Sequence, residues 1–128
     1  MTAWSDIQAH MRDKYTLEDD TSNMMSMVWS YDDGRTQKIV VRRFQAFERE
    51  MIEFKSPFAR AGDVDTEQVL RDNAQLPLAT VALSGAVYLA VYNMLIDHLH
   101  MDDFDLVVSR VAAVADALEK KYASRDDF

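Results

Sequence analysis

Residues 24–44 read MMSMVWSYDDGRTQKIVVRRF, and this stretch decides the fold. Met25, Met27, Trp29 and Tyr31 alternate with Met24, Ser26, Val28 and Ser30, the period of two that marks a strand. Asp32-Asp33-Gly34-Arg35 then reads as a hairpin turn, because glycine reaches the positive φ that tight hairpins demand. The returning run, Thr36 to Phe44, sets Ile39 and Val41 on one face and Lys38 and Arg42 on the other. A third run, Glu48 to Phe58, sets Ile52, Phe54 and Phe58 against Arg49, Met51, Glu53 and Lys55. Pro57 belongs at or beyond its end, since proline donates nothing to a ladder.

Working outward, Trp4, Ile7, Met11 and Tyr15 share one helical face, and the polar run Glu18 to Asn23 ends that first helix. Downstream, Ala61 to Asp65 is a loop. Asp65 is placed as an N-cap, with Gln68 completing a capping box and Val64 and Val69 spaced as a hydrophobic staple. The helix they start covers Thr66 to Asn73, and Pro77 closes the region. A second hairpin follows: Leu78 to Leu83, the turn Ser84-Gly85, then Ala86 to Leu95. The last helix is capped by Asp102 or Asp103, and its stripe is Phe104, Val108, Val111, Ala115, Leu118 and Tyr122. Lys120 and Lys121 fall in its last turn, as the helix dipole favours. Arg125 to Phe128 reads as a frayed tail.

The expectation is therefore one α+β domain spanning residues 1–128, in the order α-β-β-β-α-β-β-α. A mainly antiparallel five-stranded sheet makes one layer, with helices packed on one of its faces.

Composition narrows the function. The chain has no cysteine, which excludes disulfides and thiolate metal sites and suits a reducing cytoplasm, the location expected here. Met1 to Tyr15 has no basic segment leading into an apolar run, so it does not read as a signal peptide. The longest apolar stretch, Leu76 to Ile96, is broken by Pro77, Ser84, Gly85 and Asn93, so a hairpin fits better than a membrane span. Acidic residues outnumber basic ones 22 to 14, a net charge of −8, and direct nucleic-acid binding calls for the opposite balance. Only residues 35–60, with seven basic and three acidic side chains, run the other way.

Catalytic patterns are sparse. Three glycines build no phosphate-binding loop, and no G-x-S-x-G elbow is present. The densest cluster of titratable groups is Asp97-His98-Leu99-His100-Met101-Asp102-Asp103 with Asp105. It supports an alternative reading, a metal- or small-ligand-binding regulatory domain around His98 and His100. Against that stands the helix-start role open to Asp102 and Asp105. His10, near Asp6 and Asp13, reads as a solvated surface residue. No catalytic residue, no metal ligand and no cofactor is expected.

The sheet itself is the informative feature. One face takes Met25, Met27, Trp29, Ile39, Val41, Ile52, Phe54, Val81, Leu83, Val87, Leu89 and Val91. The face left for solvent still carries Met24, Val28, Val40, Phe44, Met51, Tyr88, Tyr92, Met94 and Ile96, mixed with Lys38, Arg42, Arg49 and Lys55. Aromatic residues, Met and Arg together mark protein interfaces. Three arrangements account for the pattern: a true interface, a slip at a bulge that exchanges the two sets, or cover of this face by a loop. The interface reading assigns Val28, Val40, Arg42, Phe44, Met51, Tyr88, Tyr92 and Met94 to a surface for a protein partner or a second copy.

The element order, the short middle helix ending in Leu76-Pro77, the Leu78–Leu95 hairpin and the long final helix together resemble the type III secretion chaperone-like fold. That fold includes the Tir-type secretion chaperones and the YbjN-like bacterial proteins. The nearest local matches are Asn73-Ala74-Gln75-Leu76-Pro77-Leu78 and the segment Val111 to Glu119. The resemblance implies a small acidic homodimer without a cofactor that holds an extended segment of a client protein.

Overall fold

The computed structural model describes residues 1–123; the expected frayed tail, Arg125 to Phe128, lies outside them. In chain order the elements are α1 (Trp4–Lys14), β1 (Leu17–Asp20), β2 (Met24–Ser30), β3 (Thr36–Ala46), β4 (Arg49–Arg60), α2 (Thr66–Asn73), β5 (Thr80–Ser84), β6 (Val87–Leu95) and α3 (Met101–Tyr122). The strands form one open sheet in the order β1-β2-β3-β4-β6-β5, and every neighbouring pair is antiparallel. Among the described residues no helix is long and apolar enough to cross a membrane.

The sheet has six strands rather than five. The polar run Leu17-Glu18-Asp19-Asp20 is not a helix stop but an edge strand, with Leu17 opposite Met27 and Asp20 opposite Met25. Its three acidic residues hid it. On an edge strand, charge is tolerated and even protective, so strand propensity carries no signal there.

A second difference lies in the β3–β4 turn. Ala46 pairs with Arg49, leaving a two-residue loop of Phe47 and Glu48 at φ 53° and 60°. Two-residue hairpins of this type require positive φ at both positions and select Asn and Gly. A phenylalanine and a glutamate there each cost about 1 kcal/mol or more in backbone strain. Leu78, at φ 64°, is the other non-glycine residue in that region among those described.

All three helices lie on one face. α1 buries Trp4, Ile7 and Met11, and α3 buries Phe104, Val108, Val111 and Ala112, against Met25, Met27, Ile39, Val41, Ile52 and Phe54. Farther along the sheet, Val69 of α2 joins Ala115 and Leu118 of α3 against Phe58, Tyr88 and Ala90. Fully burying side chains of this size stabilises by about 1.5–3 kcal/mol each, which fixes the helices on the sheet. α2 begins as its sequence indicates, with Asp65 accepting from the Glu67 amide. Gln68 instead donates to Asp72, one turn on, at 3.1 Å. The N-cap of α3 is His100, which places Asp102 and Asp103 inside the first turn rather than at the cap.

Charge locks α3 at both ends. Near its start Asp105 accepts hydrogen bonds from Lys14 Nζ at 2.7 Å and from the Tyr15 hydroxyl, and lies 3.0 Å from His10 Nε2. His10, expected to be solvated, is thus part of the α1–α3 contact. Burial alone would raise the Asp105 carboxyl, but the bonds from Lys14, Tyr15 and His10 outweigh it and hold the pKa at about 2. Near the other end, Arg35 from the β2–β3 hairpin donates Nε to Asp116 at 2.8 Å and Nη2 to Glu119 at 3.0 Å. Both carboxylates are buried.

Two expected outcomes follow from these anchors. Arg35→Met strips the guanidinium from two buried carboxylates and lowers stability by about 3 kcal/mol or more in urea unfolding, with Arg35→Lys falling between the variant and the parent. Asp105, with a folded pKa below its unfolded value, adds stability that is complete above about pH 4 and is lost as the pH falls toward 2. Asp105→Asn should therefore be less stable at pH 7 and flatten the decline between pH 4 and 2. Because the side chain is 30% exposed, solvent screening keeps the difference small. Unfolding curves for parent and variant at pH 7, 4 and 2 decide the point.

Candidate protein-interaction surfaces

Residues directly opposed across an antiparallel pair share a face, so the ladder fixes which side chains the helices leave uncovered. Val28 opposes Lys38, Val40 opposes Lys55, Arg42 opposes Met24 and Glu53, and Phe44 opposes Met51. All lie opposite in sense to Met25, Ile39, Val41, Ile52 and Phe54 of the core. Five residues singled out in the sequence, Val28, Val40, Arg42, Phe44 and Met51, are therefore together on the open face.

The other three are not. Tyr92 opposes Phe54 and stacks on it with ring centroids 6.3 Å apart, and Met94 opposes Ile52. Tyr88 is buried, stacks on Phe58 at 5.9 Å, and its hydroxyl lies 3.0 Å from Thr66 Oγ1. Tyr88, Tyr92 and Met94 thus point toward the helices, and Ile96 is buried in a short 3-10 turn. Val87, Leu89 and Val91, placed in the core by sequence, take the open side, where Val91 opposes Lys55 and Leu89 opposes Pro57. The slip is confined to β6, since Val81 and Leu83 of β5 oppose Ala90 and Tyr88 on the helix side, as expected. Both alternating sets of β6 are apolar, so the period of two has no contrast, and a β4 irregularity between Pro57 and Ala59 shifts the register that alternation assumes.

Electrostatically the open face neutralises itself. Glu53 receives Arg42 Nε at 3.0 Å and Lys55 Nζ at 3.3 Å. Burial would raise its carboxyl, yet these two partners leave it below the ordinary value. The Arg42 guanidinium also lies 4.6 Å over the Phe44 ring. Lys38 sits 3.6 Å from Glu18 and 3.7 Å from Asp19, and Arg43 binds Glu50 at 2.6 Å. The basic block of residues 35–60 is thus largely engaged in ion pairs. With its charges largely paired and apolar side chains between them, the surface suits a protein segment rather than a phosphate backbone.

A second surface was not foreseen. An open groove of about 730 Å³ runs between the segment after α2 and the outer side of α3. Leu76, Pro77, Leu78, Leu106, Val107 and Val114 line it, with Arg110 also at its wall. Leu78 is 43% and Leu106 51% exposed, high for side chains of their size. The available signal was Leu106, an apolar residue off the buried stripe of α3, next to the exposed alanines 113 and 117. The histidine cluster does not assemble: His98 and His100 are exposed, and among the described residues no group of three or more His, Asp or Glu could hold a metal ion.

The sequence matches no protein-family model and no curated protein. Solved structures do match in shape. A chain of the HopA1–SchA chaperone–effector complex superposes with a TM-score of 0.64 at 12% identity, covering 90% of this chain and 89% of that one. A chain of the ExsC–ExsE complex gives 0.65 at 10% identity, covering 94% and 96%. At such identities the likeness is one of architecture, and it extends over nearly the whole of each chain. The molecule has the type III secretion chaperone-like fold.

Proposed function

We propose that this chain is a non-enzymatic, chaperone-like protein-binding module that acts in the cytoplasm as a homodimer and holds a segment of a partner protein. The observation that carries this reading is the open sheet face. Val28, Val40, Phe44, Met51 and Leu89 present apolar surface there, while Arg42 and Lys55 both pair with Glu53. A sheet with helices on one side alone ordinarily shows solvent a polar face. An extended segment laid across this one gains apolar burial without desolvating an unpaired charge. The fold shared with a chaperone–effector complex supports the same reading.

The test places charge in that surface without touching the core. Val40→Glu with Met51→Glu should leave the far-ultraviolet circular dichroism spectrum unchanged. Pull-down from the native host, read by mass spectrometry, should recover a specific partner with the parent protein and at least tenfold less with the double variant. Equal recovery would show that the open face does not hold the partner.

A further inference from the structure

Among the described residues three non-glycine residues adopt left-handed backbone, and two of them are large apolar side chains held out toward solvent. Phe47 is 97% exposed at the tip of the β3–β4 hairpin, and Leu78 forms part of the α2–α3 groove. Strained backbone that persists in a folded protein is concentrated where surfaces act on ligands or partners. Here one strained site is a projection and the other a wall of a recess.

The two features match chemically. The tip offers an aromatic ring beside Glu48, and the groove offers aliphatic walls beside Arg110. Glu48 and Arg110 are both exposed, and neither has a charged partner among the described residues. Both signs recur at each place, with Arg49 following Glu48 on the tip and Asp72 across the groove from Arg110. The hairpin is stiff enough to deliver its tip: Glu50 accepts from Arg43 at 2.6 Å and from Gln45 at 3.1 Å just behind the turn. A groove of about 730 Å³ has ample room for one phenyl ring.

We infer that the β3–β4 tip of one copy docks into the α2–α3 groove of a second copy, with Phe47 in the groove and Glu48 facing Arg110. This rests on the homodimer reading above and names the contact that makes the pair. Inserted reciprocally about a two-fold axis, the contact is made twice and closes the assembly at two copies. The strain at residues 47 and 48 is retained because Asn-Gly, the relaxed choice for the turn, has no ring to insert.

Sedimentation velocity across a concentration series tests it with the parent chain, Phe47→Asn, Glu48→Arg, Arg110→Glu and the double reversal Glu48→Arg/Arg110→Glu. The parent should self-associate, each single variant should raise the dissociation constant at least tenfold, and the double reversal should recover most of the loss. At concentrations where every protein is monomeric, Phe47→Asn should also melt a few degrees higher than the parent, since asparagine tolerates the left-handed turn. A parent that is monomeric throughout overturns both this contact and the homodimer reading. A dimer indifferent to all three single variants, or a double reversal no better than its parts, overturns the contact alone and leaves the homodimer reading standing.

Discussion

Helix α3 is the element on which the rest of the molecule is hung. Its apolar stripe, from Phe104 through Val108, Val111 and Ala115 to Leu118, lies along the core face of the sheet and touches both buried clusters. Apolar packing is strong but non-directional, and it leaves a helix free to slide or rotate at small cost. The charged contacts at each end remove that freedom. Asp105 ties the start of α3 to α1, and Arg35 ties its last turns to the β2–β3 hairpin. With α3 fixed, α1 and α2 fill the spaces on either side, and every helix is committed to one face of the sheet.

That arrangement explains which parts of the fold were legible in the sequence. The helices and the first hairpin have strong contrast between faces: Met25, Ile39 and Phe54 against Ser26, Lys38 and Glu53. Strand β6 has none, since Val87, Leu89 and Val91 are as apolar as Tyr88, Tyr92 and Met94. Alternation fixes strand identity there but leaves the direction of each side chain to the β4 register. Strand β1 failed for the reverse reason, because three carboxylates in four residues look like solvent-facing coil until β2 supplies the ladder. The turn at Phe47 and Glu48 broke the usual composition rule for tight hairpins. Of the surface residues named from sequence, those on β2, β3 and β4 reach the open face together, and those on β6 lie beneath it.

The charge balance gains a spatial meaning in the fold. The net charge is −8, yet two strands of the open face, β3 and β4, belong to the one basic segment of the chain. On that face Arg42 and Lys55 meet Glu53, and Lys38 lies near Glu18 and Asp19, so its charges are largely paired within an acidic protein. Long-range repulsion between acidic molecules disfavours indiscriminate contact, while the local surface still accepts an apolar segment. Chains of the HopA1–SchA and ExsC–ExsE complexes share this architecture at 10–12% identity, so a common backbone plan persists across very different side chains.

Five of the eight methionines fall into two chemical populations. Met11, Met25 and Met27 are sealed beneath the helices, while Met24 and Met51 lie on the open face. In a chain with no thiol to react first, dissolved peroxide reaches the exposed Met1 and the half-buried thioethers of Met24 and Met51 before the sealed interior. A sulfoxide at either place is polar and hydrogen-bonding, so mild oxidation turns the greasiest part of the exterior hydrophilic while the packed layers beneath keep their shape.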